Sequence, residues 1–373
     1  VSANTEHSYP LSIPTASIEV IANDEDVSYV SNIAFDDIIR LQVSIRYSRQ
    51  AREVWKEIFS GRIIDIDGQT GTGNTSMLTC WGHIAEACYR YISTDVNMEA
   101  TDIISMAYQC DSDLSRLRMI TEDDLPLSEA VYNTGIVLPY TLNAYQKTVK
   151  DIFSDIENLS GRGCFFVALP RYDAAGRLIQ NADSKTLIKP VPMPTTPTNK
   201  YKIIQGTPRL ISANFRSTGE EMYNEIIQKG DTGPDGKNYA GVATNETSIA
   251  RYGKRTAPPG VSTGINGVLT ANIICAAFAA ASLAFTDHSK VAGSATTLGN
   301  PIAQICDLVH IKNCIDVDGN TINDYLRVVR VAHAITQNSF LTTEEFNVLI
   351  SKPEDYMSTF AKNNRLLNGN FIK

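Results

Sequence analysis

The 373-residue sequence predicts an α+β fold, mainly β, with two related β-rich regions around a helical insertion. Three observations carry this reading. Ile39, Leu41, Val43, Ile45 and Tyr47 alternate with Arg40, Gln42, Ser44 and Arg46, the period-two pattern of a strand with one buried and one solvated face. Links rich in Gly, Asn and Asp separate the strand-like runs. Helical spacing is confined to the middle of the chain and to one Ala-rich run.

In chain order, Ser17–Ala22 reads as a strand ahead of the alternating one. Trp55–Ile66 and Ser76–Trp81 read as the arms of a hairpin, because the residues between them, Asp67 to Thr75, are turn chemistry throughout. A short helix is expected near His83–Ile92. From Asn97 to Gly161 the pattern is helical. Tyr145, Val149, Ile152, Phe153 and Ile156 share a face, with Thr141 as N-cap and Gly161 as stop. Cys164–Leu169 is a buried strand, and Tyr172–Leu178 a polar turn into another. Pro190, Pro192, Pro194 and Pro197 give Lys189–Lys200 an extended, polyproline-like backbone suited to a crossing between domains. Strands resume at Leu210–Phe215 and Met222–Gln228, ahead of a Gly- and Asp-rich loop at 230–241. Three more are expected at Asp307–Ile315, Tyr325–Ile335 and Phe340–Ile350. The last places Thr342, Glu344, Phe346, Val348 and Ile350 on one face. The final twenty or so residues are polar and read as an exposed arm. Ile64-Asp65-Ile66-Asp67-Gly68 recurs as Ile315-Asp316-Val317-Asp318-Gly319, an echo that suggests duplication.

With 43% hydrophobic and 20% charged residues, the chain has material for buried cores and lacks the composition of a disordered one. A net charge of −8 argues against a phosphate-binding surface, but suits a wall that nucleic acid slides past. The seven cysteines are Cys80, Cys88, Cys110, Cys164, Cys275, Cys306 and Cys314. They form no CxxC pair and are expected as buried free thiols, which fits assembly in a reducing cytoplasm. The polar start at Val1–Asn4 lacks the basic and apolar regions of a secretory signal, and the missing Met suggests initiator removal.

Several stretches invite a chemical reading. Gly68–Ser76 is Gly-rich like a phosphate loop, but Asn74 stands where Lys is needed and a strand follows, so a hairpin turn is expected. Asp316–Asn320 is acidic enough for calcium, but its Gly is misplaced for an EF-hand and an Asp-Gly turn is expected. His83 and Glu86 stand three residues apart on one helical face, which suits a surface hydrogen bond better than half a metal site. His7, His288, His310 and His333 are scattered, and Asp123-Asp124 reads as solvated charge. Thr256–Thr286 carries no charge, yet Ala-rich Val268–Phe285 suits a helix buried between layers better than a membrane span. No catalytic, cofactor-binding or metal-binding residue is assigned, and no cofactor is implied.

Three stretches, in this order, resemble the tail hub family of tailed bacterial and archaeal viruses. This family includes the baseplate hub of contractile phages and the hub region of siphophage tail-tip proteins. The first stretch is Phe59-Ser60-Gly61-Arg62-Ile63 through the hairpin to Trp81-Gly82-His83-Ile84. The second is Leu210–Phe215, Met222–Gln228 and the string Ser248-Ile249-Ala250-Arg251-Tyr252-Gly253-Lys254-Arg255. The third is Tyr325–His333 with the strand that follows. The likeness spans most of residues 15–350; the Ala-rich helix and Pro-rich crossing depart from the pattern.

The resemblance implies two tube-like β-barrel domains with helical and mixed accessory insertions. The first barrel would span 1–95 and the second 201–250 plus 305–350. Residues 96–200 would form an accessory α+β domain, 251–304 its Ala-rich helical part, and 351–373 a C-terminal arm. It further implies a non-enzymatic virion protein, assembled in the host cytoplasm and placed at the tail tip. Three copies would form a pseudo-sixfold ring joining the tail tube to a spike or fibre, and would line the genome channel. Its partners would be itself as a homotrimer, the tail tube or distal tail protein ring, the tip spike or fibre protein and the tape-measure protein. Genome DNA would pass without specific binding. The competing readings are a tail-associated cell-envelope hydrolase, which needs a cleft with paired carboxylates or a metal, and a virion protein touching membrane through 256–286.

Overall fold

A computed structural model describes residues 2–9, 11–21, 33–45, 54–69, 75–91, 97–98, 142–143, 147–159, 164–170, 172, 186–194, 196–198, 200–218, 222–261, 271–286, 290–315, 319 and 321–347. Its main element is an eleven-stranded sheet. The N-terminal half holds β1 (Ser2–Ser8), β2 (Thr15–Ile21), β3 (Ile38–Ile45), β4 (Val54–Gln69) and β5 (Thr75–Gly82). Smaller elements follow: α1 (Ala85–Cys88), β6 (Asn97–Met98), β7 (Leu142–Asn143), α2 (Val149–Leu159), β8 (Cys164–Pro170) and β9 (Thr186–Pro192). Next come β10 (Lys202–Ile204), β11 (Leu210–Thr218), β12 (Glu225–Thr232), β13 (Asn238–Thr244), α3 (Glu246–Tyr252), β14 (Gly260–Val261) and α4 (Ala271–Thr286). The chain then adds β15 (Lys290–Leu298), β16 (Leu308–Ile315), β17 (Thr321–Ile335) and β18 (Phe340–Asn347).

The order β11-β15-β18-β17-β1-β2-β5-β4-β3 has two separate ends, with β16 pairing β17 and β10 pairing β16 off this path. The expected pair of β-barrels is therefore corrected: the strands form one open sheet. The physical reason lies in β1, which is bonded on both sides. It pairs with β2 of its own half and with β17 of the C-terminal half. The ladder capacity that closure of a separate barrel would need joins the halves instead.

Two buried clusters lie along this sheet. Ile18, Phe59, Ile63, Leu78 and Cys80 belong to the first. Phe215, Val309, Ile311, Leu326, Val328 and Phe346 belong to the second. One hydrogen-bonded row crosses the buried face through Ile63, Cys80, Ala16, Thr5, His333, Thr342 and Thr297. It turns from apolar to polar at β1, so the two cores are parted by a polar strip.

The echoed sequences fall in the β4–β5 and β16–β17 hairpins, the first at the end of β4 and the second starting at the last residue of β16. Each hairpin has one register shift, between Ile63 and Asp65 in the first and between Lys312 and Cys314 in the second. Gly319, at φ +85, supplies the left-handed residue of the second turn.

A second layer consists of the β13-β12-β14 sheet covered by α4. Ala271, Cys275, Ala279 and Leu283, four residues apart, are buried. They form the stripe that packs a helix on a sheet. Small residues let the backbones approach closely: a Cβ on Gly241 of β13 would sit 2.0 Å from the Ala276 nitrogen. Packing thus accounts for the absence of charge in α4, while residues 262–270 of the uncharged run lie outside the described set; among the described residues no helix is long and apolar enough to cross a membrane.

Other elements shift from expectation for local reasons. The helix near His83 shortens to α1, since Tyr91 leaves it to bridge Thr148. Helix α2 starts at Val149, capped by Thr148: its Oγ1 accepts from Asp151 N at 3.0 Å, while Asp151 Oδ2 accepts from Thr148 N at 3.3 Å. This reciprocal box fixes the start of the helix; Thr141 and Gly161, expected as its cap and stop, and the helical pattern over 99–141 lie outside the described residues. The Pro-rich crossing is extended as expected, but Thr186–Pro192 pairs with β8. Proline fits there because a two-stranded sheet leaves each strand an open edge. The Gly- and Asp-rich loop is shorter than expected, because β13 begins at Asn238.

Candidate assembly site

Among the described residues the side branch of the sheet ends at β10, and its main path ends in two edges: β3 pairs only with β4, and β11 only with β15. Main-chain groups on such edges can accept a strand from another chain. Large apolar side chains lie exposed near both: Phe35 and Trp55 at 64% and 60% by β3, Ile211 and Leu298 at 53% and 51% by β11. Val54 to Glu57 are all exposed, so the outer end of the β3–β4 hairpin stands clear of the core.

The outer face of the sheet differs from the buried one. Its central row runs Arg62, Trp81, Thr15, Glu6, Ala332, Thr343 and Thr296. Arg62 in this row pairs with Asp36 at 3.1 Å. Arg330 lies beside the row, and two carboxylates engage it. Its Nη2 lies 2.7 Å from Glu6 Oε2, and its Nη1 donates to Glu345. The hydrogen bond from Arg330 holds the Glu6 carboxyl below its ordinary range.

Beneath, the polar strip forms a connected joint. Tyr201 donates its hydroxyl to Glu344 Oε2 at 2.7 Å, and Asn300 Nδ2 donates to Oε1 at 3.1 Å. Asn300 N donates to Thr342 Oγ1 at 2.7 Å, and that hydroxyl meets His333 Nδ1 at 3.0 Å. Glu344 is wholly buried. Burial pushes its carboxyl up to about 7, against the lowering effect of the two hydrogen bonds. Burial, then the adjacent Glu344, raises the Tyr201 phenol above its ordinary range. Burial alone lowers His333 and His7 to about 4. Arg327 ties the crossing to the second half, donating to Cys306 O at 2.7 Å and Pro194 O at 3.0 Å. Glu157 ties α2 to β8 and to the segment after β1, accepting from Phe166 N at 3.1 Å and Leu11 N at 3.0 Å.

The features singled out in the sequence are not brought together. The Gly-rich stretch joins β4 to β5, as a hairpin link should, and residues 70–74 lie outside the described set. His83 and Glu86 meet only through the main chain, where Glu86 N donates to His83 O at 3.2 Å, and their side chains turn to other partners. His83 is buried with Nε2 2.9 Å from Ser60 Oγ, whereas Glu86 pairs with Arg90 at 2.7 Å. Burial, then the charges of Arg62 and Arg40, lowers His83 to about 4. His310 stacks on Tyr325 at 4.5 Å. Cys80, Cys275, Cys306 and Cys314 are buried free thiols and Cys88 is half-buried. Cys110, His288 and Asp123-Asp124 lie outside the described residues, among which no group of three His, Cys, Asp or Glu side chains could hold a metal. Reading the sequence missed the Glu344 joint, although the shared face of Thr342, Glu344 and Phe346 signalled a buried carboxylate.

No protein-family profile and no curated relative matches the sequence. Solved structures do. The 43 kDa tail protein of prophage MuSo2 from Shewanella oneidensis is 11% identical, with 92% of this chain and 93% of that one covered at a TM-score of 0.50. The tail protein from Neisseria meningitidis MC58 is 9% identical, with 95% and 94% covered at 0.55. Identities this low speak for fold alone. In fold, the chain resembles these tail proteins, as the order of its sequence motifs suggested.

Proposed function

We propose that the chain is a structural protein of a viral tail tip, a hub that works by shape and not by turnover. The observation that carries this is a fold shared with two tail proteins over more than nine-tenths of each chain. Three copies would form a closed ring in which each sheet contributes two comparable halves, so that three subunits meet a sixfold tube on one face and a threefold spike or fibre on the other. The paired hairpins with their echoed sequences support two comparable halves. The free edges and the exposed Trp55, Ile211 and Leu298 supply contact surface for further chains. Residues 96–200 and 251–304 would carry accessory parts and 351–373 an arm. Partners would be the tail tube or distal ring, the spike or fibre and the tape-measure protein. Assembly would take place in the host cytoplasm. Each subunit brings a charge of −8, which suits a channel wall that DNA passes without binding.

Electron-microscopy class averages of the purified protein, alone and with tail extract, test the proposal. Threefold rings with a central channel are expected in at least one condition. Monomers in both would overturn the ring, and envelope hydrolysis lost on changing one carboxylate would overturn the structural role.

A further inference from the structure

A groove of roughly 390 Å³ crosses the outer face of the sheet over β18, β17, β1, β2 and β5. Its floor is shallow at Ala332 and Ala334, where methyl groups replace longer side chains. Asn4, Glu6, Thr15, Ser17 and Thr79 bring hydroxyl, amide and carboxylate groups, and Trp81 brings an indole. Tyr89 backs that indole, its ring stacked at 6.4 Å with an interplanar angle of 11°. Arg330 holds the Glu6 carboxylate in place.

These groups narrow the ligand. The groove crosses strands β17, β1, β2 and β5, each bonded to neighbours on both sides, so their main chains have no edge to offer a peptide. A phosphate polymer would meet Glu6 and Glu345 and an arginine already engaged by both. What remains is a neutral molecule dense in hydroxyls with one apolar face. Its O–H groups would donate to Glu6 and exchange bonds with Asn4, Thr15, Ser17 and Thr79, while its C–H face rests on Trp81. We propose that this groove binds a neutral saccharide, the chemistry of an uncharged cell-envelope glycan. The inference does not rest on the ring proposed above, since the groove lies within one chain.

The test uses the full chain carrying Trp55→Phe, which leaves Trp81 as the one indole, since the sequence has two tryptophans. Fluorescence titration with chitotriose, cellotriose and maltotriose is expected to give a saturable shift with at least one. Glu6→Gln, which keeps the side chain's size, should weaken it about tenfold or more. Trp81→Ala, read by calorimetry, should abolish heat of binding. Unchanged thermal unfolding of Glu6→Gln guards against a folding defect. No response to any of the three sugars at tens of millimolar would overturn the proposal. So would binding indifferent to both changes, or binding of single-stranded DNA in preference to sugar.

Discussion

Replacing Glu344 by Gln removes a charge from the interior while keeping the side chain's length and its reach to Tyr201 and Asn300. The ordinary carboxyl value of 4.5 rises to about 7 in the fold, with burial the dominant cause. Folded Glu344 therefore keeps its proton over a range in which the unfolded chain has released it. Its contribution is fully present below about pH 4.5, declines as pH rises and is lost above about 7. That interval corresponds to about 3 kcal/mol. Most of it, about 2.5 kcal/mol, falls between pH 5 and 8. Denaturant unfolding of parent and Glu344→Gln should show the variant gaining by that amount on the parent from pH 5 to pH 8. Other titrating groups, His7 and His333 included, cancel in the difference. A gap between variant and parent that stays constant with pH would refute the reasoning, and with it the view that the joint buries an uncompensated carboxyl.

Other positions give sharp expectations. Gly241→Ala drives a methyl into the α4 backbone, where both neighbours are main chain and cannot swing away. A loss of about 3 kcal/mol or more is expected, read as early proteolysis of the β12–β13 layer. Glu157→Ala strands the buried amide of Phe166 and the half-buried amide of Leu11, and should cost about 2–3 kcal/mol in urea unfolding. Arg330→Ala removes partly exposed ion pairs and should cost at most about 1 kcal/mol, shrinking further in high salt.

Much of the sheet was legible wherever one face is apolar and the other wet. β3, the β4–β5 hairpin and β16 to β18 stand close to where alternation and turn residues put them. β15 was not legible: on its buried side it presents Gly293, Ala295 and Thr297, too small and polar to mark a strand. β1 hid for a similar reason, as its inward residues are Ala3, Thr5 and His7. Helix α3 is too short for periodicity. Its one local mark is Asn245, whose side chain accepts from Ser248 N at 3.0 Å. Closure of the sheet depends on which distant strands pair, and no short-range pattern reports that. The saccharide groove and the Arg330 clamp share this limit. Glu6 and Arg330 are 324 residues apart, and only the β1–β17 register unites them.

That register also decides how the halves depend on each other. β1 is bonded through Ala3–Ser8 to β17 and through Ser2–Glu6 to β2, so it is the bridge across the polar strip between the two cores. Two separately closed barrels would keep their ladders if this strand were damaged. One open sheet would lose protection on both sides. Asn4→Pro tests the difference, with Asn4→Ala as control for the exposed side chain. Proline deletes one ladder donor and strains a strand bonded on both sides, a cost of about 1–3 kcal/mol. Hydrogen exchange should then accelerate in β2 and β5 on one side and in β17 and β18 on the other. Acceleration confined to one side would mean that the halves are held independently and that β1 merely borders them. Acceleration on both would make the N-terminal strand the element that commits two duplicated-looking halves to a single body.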